Sequence, residues 1–233
     1  MKKLLSIAVV GVAFVAAAAH TPTTVGLTKV TTTQKSTIVP VAFKSLSTGE
    51  NILVKDLVKA ANLPSSTLMY VYNGTTYYAY TNSNGTWAGV DVVEKIDGVN
   101  TPTKGSASLP LAAGGAVWIV LQNAPATSQD IYIYGAYATG ITSTAAAGVS
   151  TLVANPLQSE ATVTITGATK GDVLLIPTGD NSNPDRYVCL GETDSVTYWK
   201  HGRTKVSAIP AFPMGKGFWY TVAGSSPVTI SWK

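Results

Sequence analysis

Short apolar runs and alternating apolar and polar residues cover most of the chain, and clusters of Gly, Pro, Asn and Ser separate them. Residues 162–166 alternate Thr with Val or Ile, which is typical of a strand with one buried face. Residues 117–121 and 228–232 are further strand-like runs. Turn signals recur about every 8–12 residues, a spacing that favours sandwiches and barrels. The pattern therefore predicts an all-β fold made of small β-sandwich or barrel-like modules.

A single segment, at about residues 54–62, has helical spacing. Its apolar positions are Leu53, Leu57, Val58 and Ala61, and Pro64 follows as a stop signal. We expect one short helix in an otherwise β-rich chain.

The strongest turn signal is Asn73-Gly74, which lies between strand-like runs at residues 69–72 and 77–80. Asn-Gly supplies the positive φ angles of a type I′ turn, so the two runs are predicted to form a hairpin. A turn of even length places Tyr70, Tyr72 and Tyr77 on the same face of that hairpin.

Aromatic residues on such strand faces are the candidates for a binding surface. They are Tyr70, Tyr72, Tyr77, Trp87, Tyr132 and Tyr134, of which the last two alternate with Ile131 and Ile133. Exposed rings stack on sugars or pack against a neighbouring subunit, whereas buried rings would cover a second sheet of the same module. The sequence leaves these three alternatives open.

The second half of the chain repeats motifs of the first half in the same order. The same spacing separates Gly26 from residues 36–39 and Gly140 from residues 150–153, which read Ser-Thr-Ile-Val and Ser-Thr-Leu-Val. With a looser register, Leu68 and its strand correspond to Val173 and its strand. We predict two tandem duplicated modules, at residues 20–138 and 139–233, and no helix in the second. The modules either share one core or are joined only by a linker near residues 137–142.

Each module contains a turn that leads into an aromatic strand. The glycine and aromatic positions are Gly114, Gly115 and Trp118 in the first module, and Gly215, Gly217, Phe218 and Trp219 in the second. The glycines allow a tight turn or bulge, and the following residues alternate between core and surface. Because Ala116 and Val117 replace Gly217 and Phe218, the first turn need not share the geometry of the second.

With this element placed after an apolar strand and a hairpin, the chain resembles a loose family of uncharacterised exported bacterial β-proteins with a Gly-x-Gly-Phe-aromatic strand element. The resemblance covers residues 26–43, the helical segment, the hairpin and the Gly-aromatic strand in the first module, and mainly residues 140–157 and 215–220 in the second. It implies the fold and export, and it carries over no catalytic residues.

Residues 1–19 have the basic start, apolar middle and small-residue end of a signal peptide. Ala17-Ala18-Ala19 offers a cleavage site before His20, and a retained membrane anchor is the alternative. We therefore expect a secreted protein, extracellular or on the cell surface, with no membrane association after cleavage.

The chain is weakly charged, with 12% charged residues and a net charge of +4, where an ordinary soluble domain has about 25% charged residues. Loss of Lys2 and Lys3 with the signal peptide would halve that net charge. No basic run remains that could follow a row of phosphates, which argues against nucleic-acid binding. Weakly ionic surfaces pack against copies of themselves with little desolvation of charge. We expect a homo-oligomer or polymer, with a glycan as the alternative partner.

No combination of residues indicates an active site. The two histidines are His20 and His201, the second in a predicted hairpin turn, and there is no Gly-x-Ser-x-Gly elbow. The carboxylates show no spacing that selects a catalytic pair. We therefore predict a non-enzymatic protein without a cofactor.

Two other features have both a structural and a functional interpretation. Residues 180–185 could ligate calcium through oxygen atoms, but they lack the glycine and distal glutamate of an EF-hand, and a solvated turn is the alternative. Cys189, the single cysteine, lies in a strand-like run and is predicted to be a buried thiol, with an intermolecular bridge as the alternative.

Taken together, these features predict a non-enzymatic extracellular structural subunit that self-assembles into a filament, sheath or surface layer. Assembly would use an extended arm at residues 21–30, added to the sheet edge of a neighbour, or tyrosine faces packed between subunits. The alternative function is a secreted carbohydrate-binding or adhesion module, with Tyr70, Tyr72, Tyr77 and Trp87 as stacking residues.

Overall fold

The computed structural model describes residues 25–32, 36–73, 76–92, 101–122, 129–137, 141–157, 159–178, 183–193 and 195–233. The predicted signal peptide, the predicted boundary between residues 138 and 139, and residues 180–182 of the predicted polar loop lie outside these ranges.

The first half contains two packed sheets and a short ribbon. Its strands are β1 (Val25–Thr32), β2 (Ser36–Pro40), β3 (Phe43–Lys44), β4 (Ile52–Leu53), β5 (Leu68–Tyr72), β6 (Tyr77–Ser83), β7 (Thr86–Gly89), β8 (Thr103–Lys104), β9 (Pro110–Leu111), β10 (Ala116–Val120) and β11 (Gln129–Tyr137). The sheet orders are β1-β11-β3 and β2-β10-β5-β6-β7, with β8 parallel to β6, and β4 pairs with β9.

The second half contains a three-stranded and a six-stranded sheet. Its strands are β12 (Thr142–Ala145), β13 (Ser150–Ala154), β14 (Val163–Thr166), β15 (Val173–Ile176), β16 (Asp185–Thr193), β17 (Val196–His201), β18 (Thr204–Val206), β19 (Gly217–Thr221) and β20 (Val228–Trp232). The sheet orders are β12-β20-β14 and β13-β19-β15-β16-β17-β18. The predicted all-β fold is confirmed.

The two halves share the pairing of their equivalent strands. In the first half, β1 pairs with β11, β11 with β3, and β2 with β10. In the second half, β12 pairs with β20, β20 with β14, and β13 with β19. Register also corresponds, because Trp118 lies opposite Ile38 and Tyr70, and Trp219 lies opposite Leu152 and Leu175. The common origin of the halves by duplication stays a prediction.

The helix predicted at residues 54–62 is wrong in its length. Helix α1 covers only Val54–Leu57, and a 3₁₀-helix covers Ala60–Asn62. Between them Val58 is extended, with φ −128° and ψ 124°, and its carbonyl accepts a 2.8 Å hydrogen bond from Trp87 Nε1. The tertiary contact thus uses a carbonyl that a continuing helix would need.

The predicted hairpin forms, but its turn is not a two-residue type I′ turn. Tyr72 pairs with Tyr77, so four residues separate the paired positions; Gly74 and Thr75 lie outside the described residues. A two-residue connection with positive φ occurs one strand later, at Asn84 (φ 51°) and Gly85 (φ 81°), between the paired residues Ser83 and Thr86. The four-residue connection after Tyr72 has an even length, as the predicted two-residue turn has. Tyr70, Tyr72 and Tyr77 therefore share one face of the hairpin, as predicted.

Each half has its own core, and a smaller cluster joins the halves. The first core combines residues of both sheets, such as Ile133 with Val117 and Met69, and the second combines Ile230 with Phe218. The joining cluster consists of Ile38, Ala116, Leu152 and Ala154, with Trp118 and Trp219 packed against it. The halves are therefore two sandwiches that meet through an apolar contact, which is neither one shared core nor a linker alone.

Candidate functional site

The hairpin tyrosines face the contact between the halves. Tyr70 and Tyr77 are buried, and the Tyr77 hydroxyl donates a hydrogen bond to the carbonyl of Ser150 in β13. The rings of Tyr72 and Tyr77 lie 4.9 Å apart. A glycan-stacking platform that includes Tyr70 and Tyr77 is therefore contradicted, because both residues are buried.

Trp87 is also buried and does not belong to the predicted aromatic binding surface. Its side chain is 5% exposed and belongs to the core of the first half. Because its indole nitrogen bonds to the carbonyl of Val58, the ring fixes the segment between α1 and the 3₁₀-helix. The prediction of Trp87 as a stacking residue is wrong.

The two aromatic strand motifs meet at the contact between the halves. The rings of Trp118 and Trp219 lie 5.4 Å apart, edge to face, and Tyr70 lies 5.3 Å from Trp118. Such tilted and edge-to-face pairs are the favoured arrangements of aromatic rings. Trp118 and Trp219, which occupy equivalent positions in the two halves, thus contact each other.

The glycine turns before these strands share their geometry. Gly114 and Gly215 both have positive φ, at 93° and 74°. The Gly114 amide donates to Val41 at 2.9 Å, and the Gly215 amide donates to Asn155 at 3.3 Å. Replacement of Gly217 and Phe218 by Ala116 and Val117 therefore does not change the turn, which has a structural role in each half.

Four large apolar side chains form an exposed surface on the three-stranded sheet of the first half, called here the apolar face. They are Val25 and Leu27, each 62% exposed, with Tyr132 at 50% and Tyr134 at 48%. Leu27 lies directly opposite Tyr134. Tyr132 and Tyr134 are exposed and Ile131 and Ile133 are buried, as their predicted alternation requires.

The first part of β1 is inverted relative to its apolar pattern, whereas Val30 is buried in the core. It exposes Val25 and Leu27 while it buries Thr28 and Thr32, and the hydroxyl of Thr28 has no hydrogen-bond partner. Residues 25–32 pair along their whole length with β11 of the same half. The prediction that residues 25–30 belong to an arm added to a neighbour's sheet is therefore wrong for this conformation; residues 21–24 lie outside the described ranges.

Sequence reasoning missed Val25 and Leu27 as surface residues. Val25 and Leu27 alternate with Gly26 and Thr28, and this alternation predicts that the apolar side chains point inward. Only the pairing with β11 reverses that assignment, because β11 has Ile131 and Ile133 on the buried face.

The corresponding sheet of the second half, β12-β20-β14, presents hydroxyl groups where the first half presents the apolar face. Its outward side chains, called here the hydroxyl face, are Thr142, Thr144, Thr164, Thr166, Thr229 and Ser231. Each row crosses all three strands, as in Thr142, Ser231 and Thr164. The fold therefore does not require apolar residues at this position.

Two crevices lie where the halves meet. One, of about 420 Å³, is lined by Tyr72, the turn at Ala112 and Ala113, and Thr151 with Leu152 of β13. We call it the tyrosine crevice. The other, of about 540 Å³, lies between Lys29, Thr37, Pro177 and the turn at Met214 and Gly215. The larger crevice is lined by β1, β2 and the end of β15. The tyrosine crevice is lined by the equivalent strands of the opposite halves, which are β12, β13 and the end of β5.

The buried carboxylate of Asp172 ties a turn to β19. It accepts hydrogen bonds from the Tyr220 hydroxyl at 2.7 Å, from the amide of Ala223 at 2.8 Å, and from the hydroxyl and amide of Thr169 at 2.9 and 3.0 Å. Burial, together with the carboxylate of Asp172, raises the pKa of Tyr220. Because four donors of the protein bind its carboxylate, Asp172 has a structural role.

His201 and Cys189 show no catalytic arrangement. His201 lies at the end of β17, its ring stacks on Tyr187 at 4.4 Å, and its Nε2 atom lies 3.4 Å from Asp185 Oδ1 at the surface. Cys189 is buried and free, as predicted, and burial raises its pKa. The thiol is therefore in its unreactive form.

The described residues contain no group of three or more His, Cys, Asp or Glu side chains placed to hold a metal ion. Within the same residues, no helix is long and apolar enough to cross a membrane. Comparison of the chain with protein-family models, with curated proteins and with solved structures found no match. The resemblance to exported bacterial β-proteins therefore stays a prediction.

Proposed function

We propose that the protein is a non-enzymatic extracellular structural subunit that self-assembles into a filament, sheath or surface layer. The main support for this proposal is the exposure of the four side chains of the apolar face. Export is inferred from residues 1–19, and burial of Tyr70, Tyr77 and Trp87 removes the surface platform on which the glycan-binding alternative depended.

The apolar face is suited to a contact with a second copy. Its four side chains are between 48% and 62% exposed, and burying an apolar side chain contributes about 1.5–3 kcal/mol. Lys29 and Asp130 flank the face as an ion pair of 3.4 Å. Two such faces can therefore meet without bringing together an excess of like charge.

The hydroxyl face supplies an internal reference for this interpretation. It occupies the equivalent sheet, yet its outward side chains are Thr and Ser, whereas the outward side chains of the first half include Val25, Leu27, Tyr132 and Tyr134. Since the architecture accepts a polar surface there, the apolar side chains point to a role outside the folding of one chain.

A polymer needs a second contact, because a self-complementary face alone closes into a dimer. Strand β18 pairs only with β17 among the described strands and so ends the six-stranded sheet of the second half. An unpaired edge offers backbone groups to a strand of another chain, but β18 has only three residues and includes Lys205, two features that limit such pairing.

The test is negative-stain electron microscopy and light scattering of the mature chain, from residue 20 onward, over a range of salt and protein concentrations. We expect polymers or sheets, favoured by salt that strengthens apolar burial. A stable dimer would support the apolar contact and reject the polymer. Monomers under all conditions would reject the proposed function.

A further inference from the structure

Three basic side chains share one surface of the six-stranded sheet of the second half. Arg186, Lys200 and Lys205 lie on the neighbouring strands β16, β17 and β18, and all three are exposed. Lys200 lies directly opposite Lys205 on one side and Val188 on the other, and Arg186 is two residues from Val188. Opposed residues and residues two apart share a face of a sheet. We call these three side chains the basic face.

The basic face is not neutralised by ion pairs of the described residues, because those ion pairs involve other basic side chains. The Nζ atom of Lys205 lies 3.7 Å from the centre of the Tyr198 ring, and this cation–π contact positions the ammonium group while it keeps its charge. Like charges directly opposite each other on neighbouring strands destabilise a sheet. The opposed pair of Lys200 and Lys205 therefore opposes folding.

The first half has alanine where β16 and β17 have basic residues. Two rows of directly opposed residues show this: Trp118, Tyr70 and Ala79 match Trp219, Leu175 and Arg186, and Val120, Leu68, Thr81 and Ala88 match Thr221, Val173, Val188 and Lys200. Ala79 thus corresponds to Arg186, and Ala88 corresponds to Lys200. Since the sheet accepts alanine at both positions, its folding does not require the basic residues.

The edge of the sheet explains Lys205 but not the other two basic residues. Lysine on an edge strand limits pairing with other chains, and β18 ends the sheet. Arg186 and Lys200 lie on β16 and β17, each of which has a neighbouring strand on both sides. Their positive charge therefore points to a negatively charged partner.

A hollow lies between the two basic residues of the interior strands. Arg186, Val188, Lys200 and Gly202 line it, and its volume is about 390 Å³. Apart from chain neighbours, no atom lies within 4 Å of the place that a Cβ atom of Gly202 would take, so the hollow is open there. Its volume suits a sugar unit. The guanidinium of an arginine matches a carboxylate with two parallel hydrogen bonds, which places an acidic group beside Arg186.

The position of the basic face favours a flexible chain over a flat membrane. Leu175 lies opposite Arg186 on one side and opposite Trp219 on the other. Trp219 in turn contacts Trp118 of the first half. The first half therefore stands on the same sheet surface as the basic face, and a flexible polymer can follow a surface that is interrupted in this way.

We propose that the basic face binds an acidic polysaccharide, with one carboxylate in the hollow between Arg186 and Lys200 and another against Lys205. Linked acidic sugars bring several carboxylates to the three cations at once, and linked contacts reinforce each other. This binding attaches an exported subunit to a charged polymer. It is separate from the apolar face and does not depend on self-assembly.

The experiment measures binding of the mature chain to immobilised polygalacturonate by surface plasmon resonance, with dextran as the neutral probe. Phosphatidylglycerol vesicles and a DNA duplex test the other classes of anionic partner. The variant Arg186→Ala/Lys200→Ala gives β16 and β17 the residues of the first half. Lys44→Ala/Lys55→Ala, at two exposed lysines of the first half, removes the same charge and is the matched control.

We expect polygalacturonate to bind, dextran not to bind, and the binding to weaken as salt screens the charges. Arg186→Ala/Lys200→Ala should weaken binding about tenfold through the loss of two ionic contacts, and the control should weaken it less than about twofold. Lys200→Ala alone should not lower the melting temperature, because it removes one of two opposed like charges.

Absence of binding to polygalacturonate at low salt would overturn the proposal. Equal weakening by the two double variants would do the same, since net charge alone would then bind the polymer. Tighter binding to the vesicles or to the DNA duplex than to polygalacturonate would also overturn it. The Leu27→Thr/Tyr134→Thr variant separates this result from assembly: it should keep full binding to polygalacturonate, and a loss there would count against the basic face.

Discussion

Leu27 and Tyr134 lie directly opposite each other on β1 and β11, and both side chains point to solvent. Directly opposed side chains on neighbouring strands lie about 4.5–5.5 Å apart at their Cβ atoms, so the pair forms one continuous apolar patch. The hydroxyl face has no such pair at the equivalent site.

Replacement of this pair tests the assembly contact. Leu27→Thr with Tyr134→Thr gives the first half a surface like the hydroxyl face, and we expect the concentration needed for assembly to rise at least about tenfold, since each apolar side chain contributes about 1.5–3 kcal/mol when buried. Light scattering over a concentration series measures this. Thr164→Ser, on the hydroxyl face, is the control, and an unchanged threshold in the double variant would contradict the proposed contact.

Thr28→Val should stabilise the fold. The Thr28 side chain is buried with an unpaired hydroxyl, so a valine of similar shape removes a desolvated group and should raise the free energy of unfolding by about 1 kcal/mol. Urea denaturation measures the change. Thr31→Val should act in the opposite direction, because the Thr31 hydroxyl donates a 2.7 Å hydrogen bond to Asp130; stabilisation by both changes would contradict the assignment of the two faces of β1.

Asp172→Asn should destabilise the second half strongly. The amide keeps one of the two accepting oxygens and turns an NH₂ group toward donors such as Tyr220 and Thr169, so we expect a loss of about 2–4 kcal/mol. Tyr220→Phe removes only one of the hydrogen bonds and should cost about 1–2 kcal/mol. Thermal denaturation compares the two, and equal losses would show that the bond to Tyr220 accounts for the whole effect.

Tyr80 should make the fold sensitive to alkaline pH. Burial raises the pKa of Tyr80 from 10.0 to about 12, and its hydroxyl donates a 3.0 Å hydrogen bond to the carbonyl of Ser106. Because the unfolded chain ionises first, the stability contributed by neutral Tyr80 is complete below about pH 10 and is lost as the pH rises through about 12. Urea midpoints from about pH 9 to pH 11 should fall less steeply in Tyr80→Phe than in the wild type; parallel curves would contradict this.

Much of the fold could be read from local signals. Val228–Trp232 forms a strand where the run of Val, Ile and Trp predicts one, and Leu68 and Val173 begin equivalent strands as the repeat predicts. Helical spacing predicts too long a helix because it does not show that Trp87 Nε1 donates a hydrogen bond to the carbonyl of Val58. The type of the hairpin turn is misassigned because the dipeptide Asn73-Gly74 alone predicts a two-residue turn, whereas strand register leaves four residues between Tyr72 and Tyr77.

The candidate sites depended on contacts between residues far apart in the chain. Alternation along a strand tells which residues share a face, but it does not tell what covers that face. Tyr77 is therefore buried by Ser150, and Thr151 reaches the crevice beside Tyr72, although neither pair is adjacent in sequence.

By itself, the sequence determined that the chain is all β, where most strands lie, and that its two halves follow the same plan, because apolar periodicity and turn chemistry are local properties. The tertiary structure decided that Tyr70 and Tyr77 are buried and that β1 exposes Val25 and Leu27. Those outcomes are set by which surfaces pack against each other, and that packing depends on both halves of the folded chain.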